Sequence, residues 1–318
     1  ENSGLPVVNL SSNHEDLSLS SIDADQTVVG EMAAHHFCEL GYRHFAFFGS
    51  SSAAFSRQRE EAFKNALASM EVSFDAIHID YTLRPPFERH IHQAEEAVSR
   101  WLNSLPKPTA IFCSNDEHAR LLSSLCKVGG IVVPDEVALL GVDNDETMCF
   151  LSIPPLSSVD NPGEAIGYRA AVMLDHMITS PDCEPRRERI PPIQIIERAS
   201  TGRFAAEDPL TRKAMSFIEK NLRNTELSVD VIADHLDLSR RSLERRFARK
   251  LGITVLAATQ RARIRKAKTL LRESTLSIQV IASECGFSNH RRLGIVFQSM
   301  MEMTPTEFRN FYDVDKLQ

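Results

Sequence analysis

No run of 18 or more apolar residues occurs in the 318-residue chain, so no segment is long and apolar enough to cross a bilayer as a helix. No basic stretch followed by a short apolar run opens it, so no secretion signal is read. The six cysteines, Cys38, Cys113, Cys126, Cys149, Cys183 and Cys285, form no C-x-x-C pair and mostly sit in apolar runs. They read as reduced core thiols in a cytoplasmic protein rather than a disulfide framework or a zinc site. G-x-S-x-G, Walker and H-E-x-x-H signatures are also missing, so nothing points to an enzyme or a cofactor. Asp75, His78 and Asp80 form a D-x-x-H-x-D string, with His90 and His92 beyond it. On a strand His78 and Asp80 share a face, but no third ligand is near, so a solvated edge is the preferred reading. The adjacent His35 and His36 cannot share a helix face and are incidental.

What the chain does have is a charge imbalance between its two parts. Its formal net charge is −7. From Pro209 to the end, however, 20 Lys and Arg stand against 12 Asp and Glu, a net of +8. Residues 1–208 hold 16 basic and 31 acidic residues, a net of −15. An acidic body joined to a basic tail suggests that one part meets phosphate and the other does not. A solvated basic face would give the same sum. Length alone allows about two domains.

The tail is helical. Apolar spacing predicts helices near 209–224, 229–236, 240–251, 255–273, 278–285, 289–301 and 305–312, joined by short loops. An internal repeat lies inside: LSVDVIADHLDLSRRSLERRFARKLGIT is followed by LSIQVIASECGFSNHRRLGIVFQSMMEMT. Leu227-Ser228 matches Leu276-Ser277, Ile232-Ala233 matches Ile281-Ala282, Leu243 matches Leu293, Phe247 matches Phe297 and Thr254 matches Thr304. Ser228 and Ser277 suit helix N-caps. The small Ala233 and Ala282 let two helices cross closely. Leu243 with Phe247, and Leu293 with Phe297, anchor a second helix through i,i+4 contacts. The pattern is two helix-turn-helix units.

This repeat resembles the AraC-type DNA-binding domain over about 209–312, including the connecting helix RARIRKAKTLL, the turn Gly286–Asn289 and the ending TPTEFR. The resemblance implies two helices in successive major-groove segments of a double-stranded operator. In the first, Leu243 and Phe247 point inward, so Arg241, Glu244 and Arg245 face the groove. Arg can pair with guanine and Glu can accept from cytosine. Arg240, Arg246 and Arg249 are assigned to phosphates. In the second, Asn289, His290, Arg291 and Arg292 occupy the exposed N-terminal end. For each arginine the competing reading is a solvated helix face. The second copy departs from the family, with Gly294 and Ile295 where polar residues are usual and Glu302 where Gly is usual. It is expected to contribute less affinity than the first.

Residues 1–200 are predicted to form an α/β sensor domain, with 201–208 as linker and 209–318 as the DNA-binding domain. The runs PVVNL, HFAFFG, AIHID, TAIFCS and VALLGVD read as buried parallel strands. Helices are expected near 26–40, 57–70, 88–105, 117–128 and 163–179. Ligands of such sheets bind at the carboxyl ends of the strands. Those ends carry Phe55, Arg57 and Arg59, then Asn115-Asp116, then Asp143-Asn144. Carboxylates, amides and an arginine fork beside an aromatic face suit sugar hydroxyls, which both donate and accept. Helix N-capping is the equal alternative for Asp116.

The segment is similar to the LacI/GalR-type, periplasmic-binding-protein-like sensors through IDADQTVVGEMAAHHFCELGYRHFAFFG, RQREEAF, SNDEHAR, VPDEVALLGVDN and PPLSSVDNPGEAIGYRAAVML. The resemblance implies two lobes of parallel sheet and raises Arg59, Asp116 and Asp143 as ligand contacts, with Asn115 and Phe55 behind them. The join IPPIQIIERASTGRFAAEDPLTRKAM is similar to that of xylose-operon regulators. It implies D-xylose or a related aldose as effector and activation of sugar-catabolism genes, with contact to RNA polymerase if the protein is an activator; a homodimer is expected because two half-sites need two basic domains. The family fold starts with two further βα units, roughly 70 residues, which this chain is expected to lack. A dimerisation scaffold that no longer senses sugar is the alternative to a working sensor, and a sugar-binding enzyme is a more distant one.

Overall fold

A computed structural model of the chain describes residues 5–11, 18–79, 87–180, 184–202, 209–251 and 253–312, with backbone alone for 87–93, 212 and 250. The chain divides into two units, one ending at Gly202 and one holding Arg203 onward. The sensor thus runs two residues past the expected boundary. Thr201 ties the extra residues to the sensor: its hydroxyl lies 2.8 Å from Ser157 Oγ and its carbonyl accepts from Tyr42 Oη at 3.2 Å. What remains of the expected linker, 203–208, lies outside the described residues.

The first unit holds two sheets. β1 (Val8–Asn9), β2 (Ser20–Ala24) and, later in the chain, β8 (Arg187–Ile190) form a small parallel sheet in the order β1-β2-β8. The larger sheet contains β3 (His44–Gly49), β4 (Ser73–His78), β5 (Thr109–Cys113), β6 (Val137–Val142), β7 (Ser157–Asp160) and β9 (Gln194–Ile196). Its order is β4-β3-β5-β6-β7-β9, parallel except for β9. The connecting helices are α1 (Gln26–Glu39), α2 (Ala54–Leu67), α3 (Phe87–Ser104), α4 (Asp116–Val128), α5 (Glu146–Leu151) and α6 (Gly163–Thr179). Four strands and one helix were not legible as elements. SSIDA (β2) and SSVD (β7) are short and mostly polar, RERI (β8) is mostly charged, QII (β9) is only three residues long, and α5 is only six residues long.

β3, β5 and β6 are buried over almost their whole length, which is why they read as continuous apolar runs. On one face Ala46, Phe48, Ile111, Cys113, Val137 and Leu139 pack against Ala119, Leu122 and Cys126 of α4. Aromatic contacts join Phe37, Phe45, Phe47, Phe63 and Phe112 in edge-on and tilted pairs 5.1–6.4 Å apart. Each such fully buried ring contributes about 2–3 kcal/mol of transfer free energy. The five described cysteines are buried and form no disulfide with one another. Burial pushes the Cys126 and Cys149 thiols up to about 12 and Cys285 to about 11, which suppresses thiolate chemistry. Cys183 lies outside the described residues.

The second unit comprises α7 (Pro209–Lys220), α8 (Val229–His235), α9 (Arg240–Leu251), α10 (Val255–Glu273), α11 (Ile278–Glu284), α12 (His290–Met301) and α13 (Pro305–Tyr312). The repeat holds residue by residue. Ser228 and Ser277 cap α8 and α11 through the third amide beyond, both at 3.3 Å. Thr254 and Thr304 cap α10 and α13 in the same way. Leu243, Phe247, Leu293 and Phe297 are completely buried. The two helix-turn-helix turns use equivalent left-handed residues, Asp237 at φ +53° and Gly286 at φ +73°. A side chain at 286 would also place its Cβ 2.0 Å from the Leu222 carbonyl oxygen, so glycine is required there.

Two stability predictions arise here. A Cβ added at Gly294 of α12 meets nothing within 4 Å. Gly294→Ala should stabilise the domain by roughly 0.5–1 kcal/mol through helix propensity, seen as a higher urea midpoint; a lower midpoint would contradict it. Lys268 of α10 is 8% exposed. Burial, assisted by Arg265, lowers its pKa to about 8. The folded lysine therefore sheds its proton before the unfolded one does. Stability should rise from about pH 8 to pH 10, by about 2–3 kcal/mol over the full window. The Lys268→Met variant should lack this rise, and equal slopes in the two proteins would contradict the assignment.

Candidate functional site

The strand order reverses between β3 and β5, and open α/β sheets bind ligands outside the strand ends at such a switch. Arg59 occupies that point. It enters from α2, the helix after β3, and is only 4% exposed. Its Nε donates to Gln26 Oε1 at 2.7 Å and one terminal nitrogen donates to the Ser114 carbonyl at the end of β5. Gln26 opens α1 directly after β2, so the guanidinium bridges the tips of both sheets. The other terminal nitrogen lies 3.6 Å from Asp143 Oδ1. The guanidinium sits 5.0 Å over the half-buried ring of Phe55. Burial lowers its proton affinity, while Asp143, Asp23 and Asp116 act in the opposite direction. Arg57, by contrast, is exposed and bonded to the Ser51 carbonyl at 2.7 Å.

Asp143 stands on the tip after β6, half exposed, with Asn161 Nδ2 donating to its Oδ1 at 2.9 Å. Asn161 Oδ1 is buried and has no partner among the described residues. Asp143 and Asn144 take φ values of +102° and +54°. Two successive non-glycine residues in this region cost of order 1–3 kcal/mol each and persist only where their surroundings hold them. The Asn144 amide donates to Ser158 Oγ at 3.0 Å, and its side-chain oxygen accepts from Arg198 at 2.8 Å.

Asp116 and Asn115 divide the work at the end of β5. Asn115, not Asp116, caps α4, accepting from the His118 amide at 2.8 Å. Asp116 is 2% exposed. Its carboxylate accepts from the Ser158 hydroxyl at 2.6 Å and the Asp145 amide at 2.8 Å, with the Cys149 thiol at 3.6 Å. Burial raises its pKa to about 6, against the lowering effect of these hydrogen bonds. It ties α4 to β7 and to the loop that carries Asp143. Sequence reading missed Asp23, Gln26, Asn161 and Arg198. The DNP after β7 and the ERAST after β9 were the available signals. Among the described residues no group of three or more His, Cys, Asp or Glu could hold a metal ion. His78 Nε2 lies 2.7 Å from Glu60 Oε2; Asp80 and the side chains of His90 and His92 are outside the described residues.

In the second unit, Arg241, Glu244, Arg245 and Arg249 of α9 are exposed and Arg246 is half-buried, opposite the buried Leu243 and Phe247. Arg240 is held at 3.0 Å by both Asp230 and Glu244, so neither it nor Glu244 is a free group before DNA arrives. At the start of α12, His290, Arg291 and Arg292 are exposed. Asn289 is the N-cap, its side-chain oxygen accepting from the Arg292 amide at 2.9 Å. Ile295 is 63% exposed on the same helix. Glu302 ends it in the left-handed conformation at φ +58°.

A periplasmic binding protein-like domain model matches residues 34–201, and a helix-turn-helix domain model matches 232–310. The xylose operon regulatory protein of Escherichia coli (strain K12) is 32% identical over 292 residues, covering 91% of this chain and 73% of that protein. The chain belongs to the xylose operon regulatory protein family. The family member of Haemophilus influenzae is likewise 32% identical, over 91% of this chain and 74% of its own. The solved structure of the xylose-binding transcription activator xylR covers 97% of this chain and 82% of its own length, at 29% identity and a TM-score of 0.57. A LacI family transcriptional regulator from Enterococcus faecium with bound ribose shares the sensor fold, at 22% identity and a TM-score of 0.53 over 62% of this chain and 70% of that one. As a xylose operon regulatory protein relative, the chain is a DNA-binding transcription regulator, with a periplasmic-binding-protein-like unit followed by two helix-turn-helix motifs. No helix among the described residues is long and apolar enough to cross a membrane.

Proposed function

We propose that this regulator senses D-xylose or a related aldose in the cytoplasm, and that sugar binding changes how a homodimer engages paired operator half-sites to activate sugar-catabolism genes through RNA polymerase. It acts by binding and not by catalysis. The observation that carries the reading is the buried Arg59 fork, fixed from both sheets and aimed at Asp143. Sugar hydroxyls need charged donors and acceptors held beside an aromatic face, and Phe55 supplies the face. Asn161 Oδ1 adds a buried acceptor without a donor, which a hydroxyl can satisfy after a small rearrangement. Asn115 lies at the same strand end. Asp116 acts through the loop it holds. A ligand that favours one arrangement of the two sheets shifts the population of DNA-binding states by its differential affinity alone.

Thermal unfolding of the full chain with millimolar D-xylose, arabinose, ribose and glucose tests this. At 100 times its dissociation constant a ligand adds about 2.7 kcal/mol of stability. The midpoint should rise with D-xylose or a close relative. No rise with any sugar would leave a dimerisation scaffold that binds DNA without sensing.

A further inference from the structure

We propose that Arg198 is the positioning residue that holds the Asp143-Asn144 tip of the effector site and ties it to the segment through which the sensor leads into the DNA-binding domain. The proposal rests on the reading that Arg59 and Asp143 bind the effector. Arg198 follows β9 by two residues and lies four residues before Gly202, where the sensor ends. Its guanidinium donates to the Asn144 side-chain oxygen and to the Leu156 carbonyl, both at 2.8 Å, and lies 5.0 Å over the ring of Phe150. Its own amide donates to Ser157 Oγ at 2.8 Å.

Three features make this more than a surface contact. First, the bond falls on one of two consecutive residues with positive φ, a backbone that relaxes unless something external fixes it. Second, Asn144 also spans to β7 through Ser158 and to Asp160, so the tip, β7 and the exit segment are fastened at one point. Third, the other contacts that hold the exit segment among the described residues use its backbone and small hydroxyls: Ser200 to Leu139 and Ser157, Thr201 to Ser157 at 2.8 Å, and the Thr201 carbonyl, which accepts from Tyr42 Oη at 3.2 Å. Arg198 is the long side chain in this stretch that reaches the ligand-facing tip. Sugar bound at Asp143 and displacement of residues 198–202 then depend on one shared arrangement, and such coupling is reciprocal.

The test uses the full chain as wild type, Arg198→Met, Arg198→Lys and Asn144→Ala. Amide hydrogen exchange without sugar comes first. Arg198→Met should speed exchange at 143–145 at least about tenfold, and Asn144→Ala should speed it across 198–202 by a similar factor. If Asn144→Ala leaves 198–202 at the wild-type rate, the clamp does not couple the two and the proposal falls, whatever sugars do. Titration of D-xylose and of operator DNA comes second. Arg198→Met should weaken D-xylose about tenfold or more and bring the sugar-dependent change in operator affinity close to one at saturating sugar, with Arg198→Lys intermediate. Wild-type sugar affinity and dependence in Arg198→Met would overturn the proposal. A wild-type chain that binds no sugar would instead refute the sensing function, while hydrogen exchange still decides the clamp.

Discussion

Replacing Arg59 with Met is expected to abolish D-xylose binding. The guanidinium is desolvated, anchored by Gln26 and Ser114, and faces Asp143. Charge-assisted hydrogen bonds in such surroundings are worth about 1.5–3 kcal/mol each. Losing a two-pronged contact therefore costs on the order of 100-fold in affinity or more. Arg59→Lys should not rescue it, because a single ammonium cannot reach Gln26, Ser114 and a ligand together. Asp143→Asn keeps shape and removes charge at a half-exposed position, so it should cost about 10- to 100-fold in affinity with little loss of stability. Calorimetric titration of each variant with D-xylose, beside its unfolding curve, separates the two effects. Wild-type binding by a folded Arg59→Met chain would remove Arg59 from the site.

The second large effect is expected on DNA. Arg241→Ala and Arg245→Ala each remove an exposed arginine from the face of α9 opposite Leu243 and Phe247 and should weaken operator binding by about 1–3 kcal/mol, roughly 5- to 150-fold. Arg291→Ala on α12 should cost less. One turn further along α12 stand Gly294 and the exposed Ile295, whose side chains offer no hydrogen bond to base or phosphate. Arg240→Ala should cost least, because Asp230 and Glu244 already hold that side chain. Variants that touch only phosphate should lower the slope of log affinity against log salt by about one. Equilibrium binding to duplexes selected by the protein itself, at several salt concentrations, gives these values. A larger loss from Arg291→Ala than from Arg241→Ala would reverse the ranking of the two motifs.

The helical unit was almost fully legible because its signals are local. Capping serines, i,i+4 anchors and a 49- to 50-residue repeat are written in neighbouring residues, and helix ends fell within a few residues of expectation. The sensor's strands were legible where apolar residues run together, which includes β1 and β4 although the structure leaves both partly exposed. β3, β5 and β6 announce themselves as apolar runs. SSIDA and SSVD do not, since their strand character comes from partners far away in sequence. The proposed effector site divides in the same way. Asp143 directly follows β6 and Arg59 lies in the second turn of α2, the helix after β3, both in stretches that the pattern marks. Gln26, Asn161 and Arg198 reach the site through tertiary packing, and no spacing rule predicts them. Asp116 shows a different case: its place after β5 suggested a ligand contact or a cap, and the structure gives the cap to Asn115 while Asp116 accepts from the Ser158 hydroxyl and the Asp145 amide.

Operator affinity of the full chain, with and without saturating D-xylose, at fixed salt, tests the central claim most directly. A sugar-responsive regulator should show a change in operator affinity of about 5- to 150-fold, and that change should vanish in Arg59→Met while sugar-free binding persists. Equal affinity with and without every pentose tested, in a chain that still binds its operator, would contradict the claim and leave a regulator of DNA that does not sense sugar.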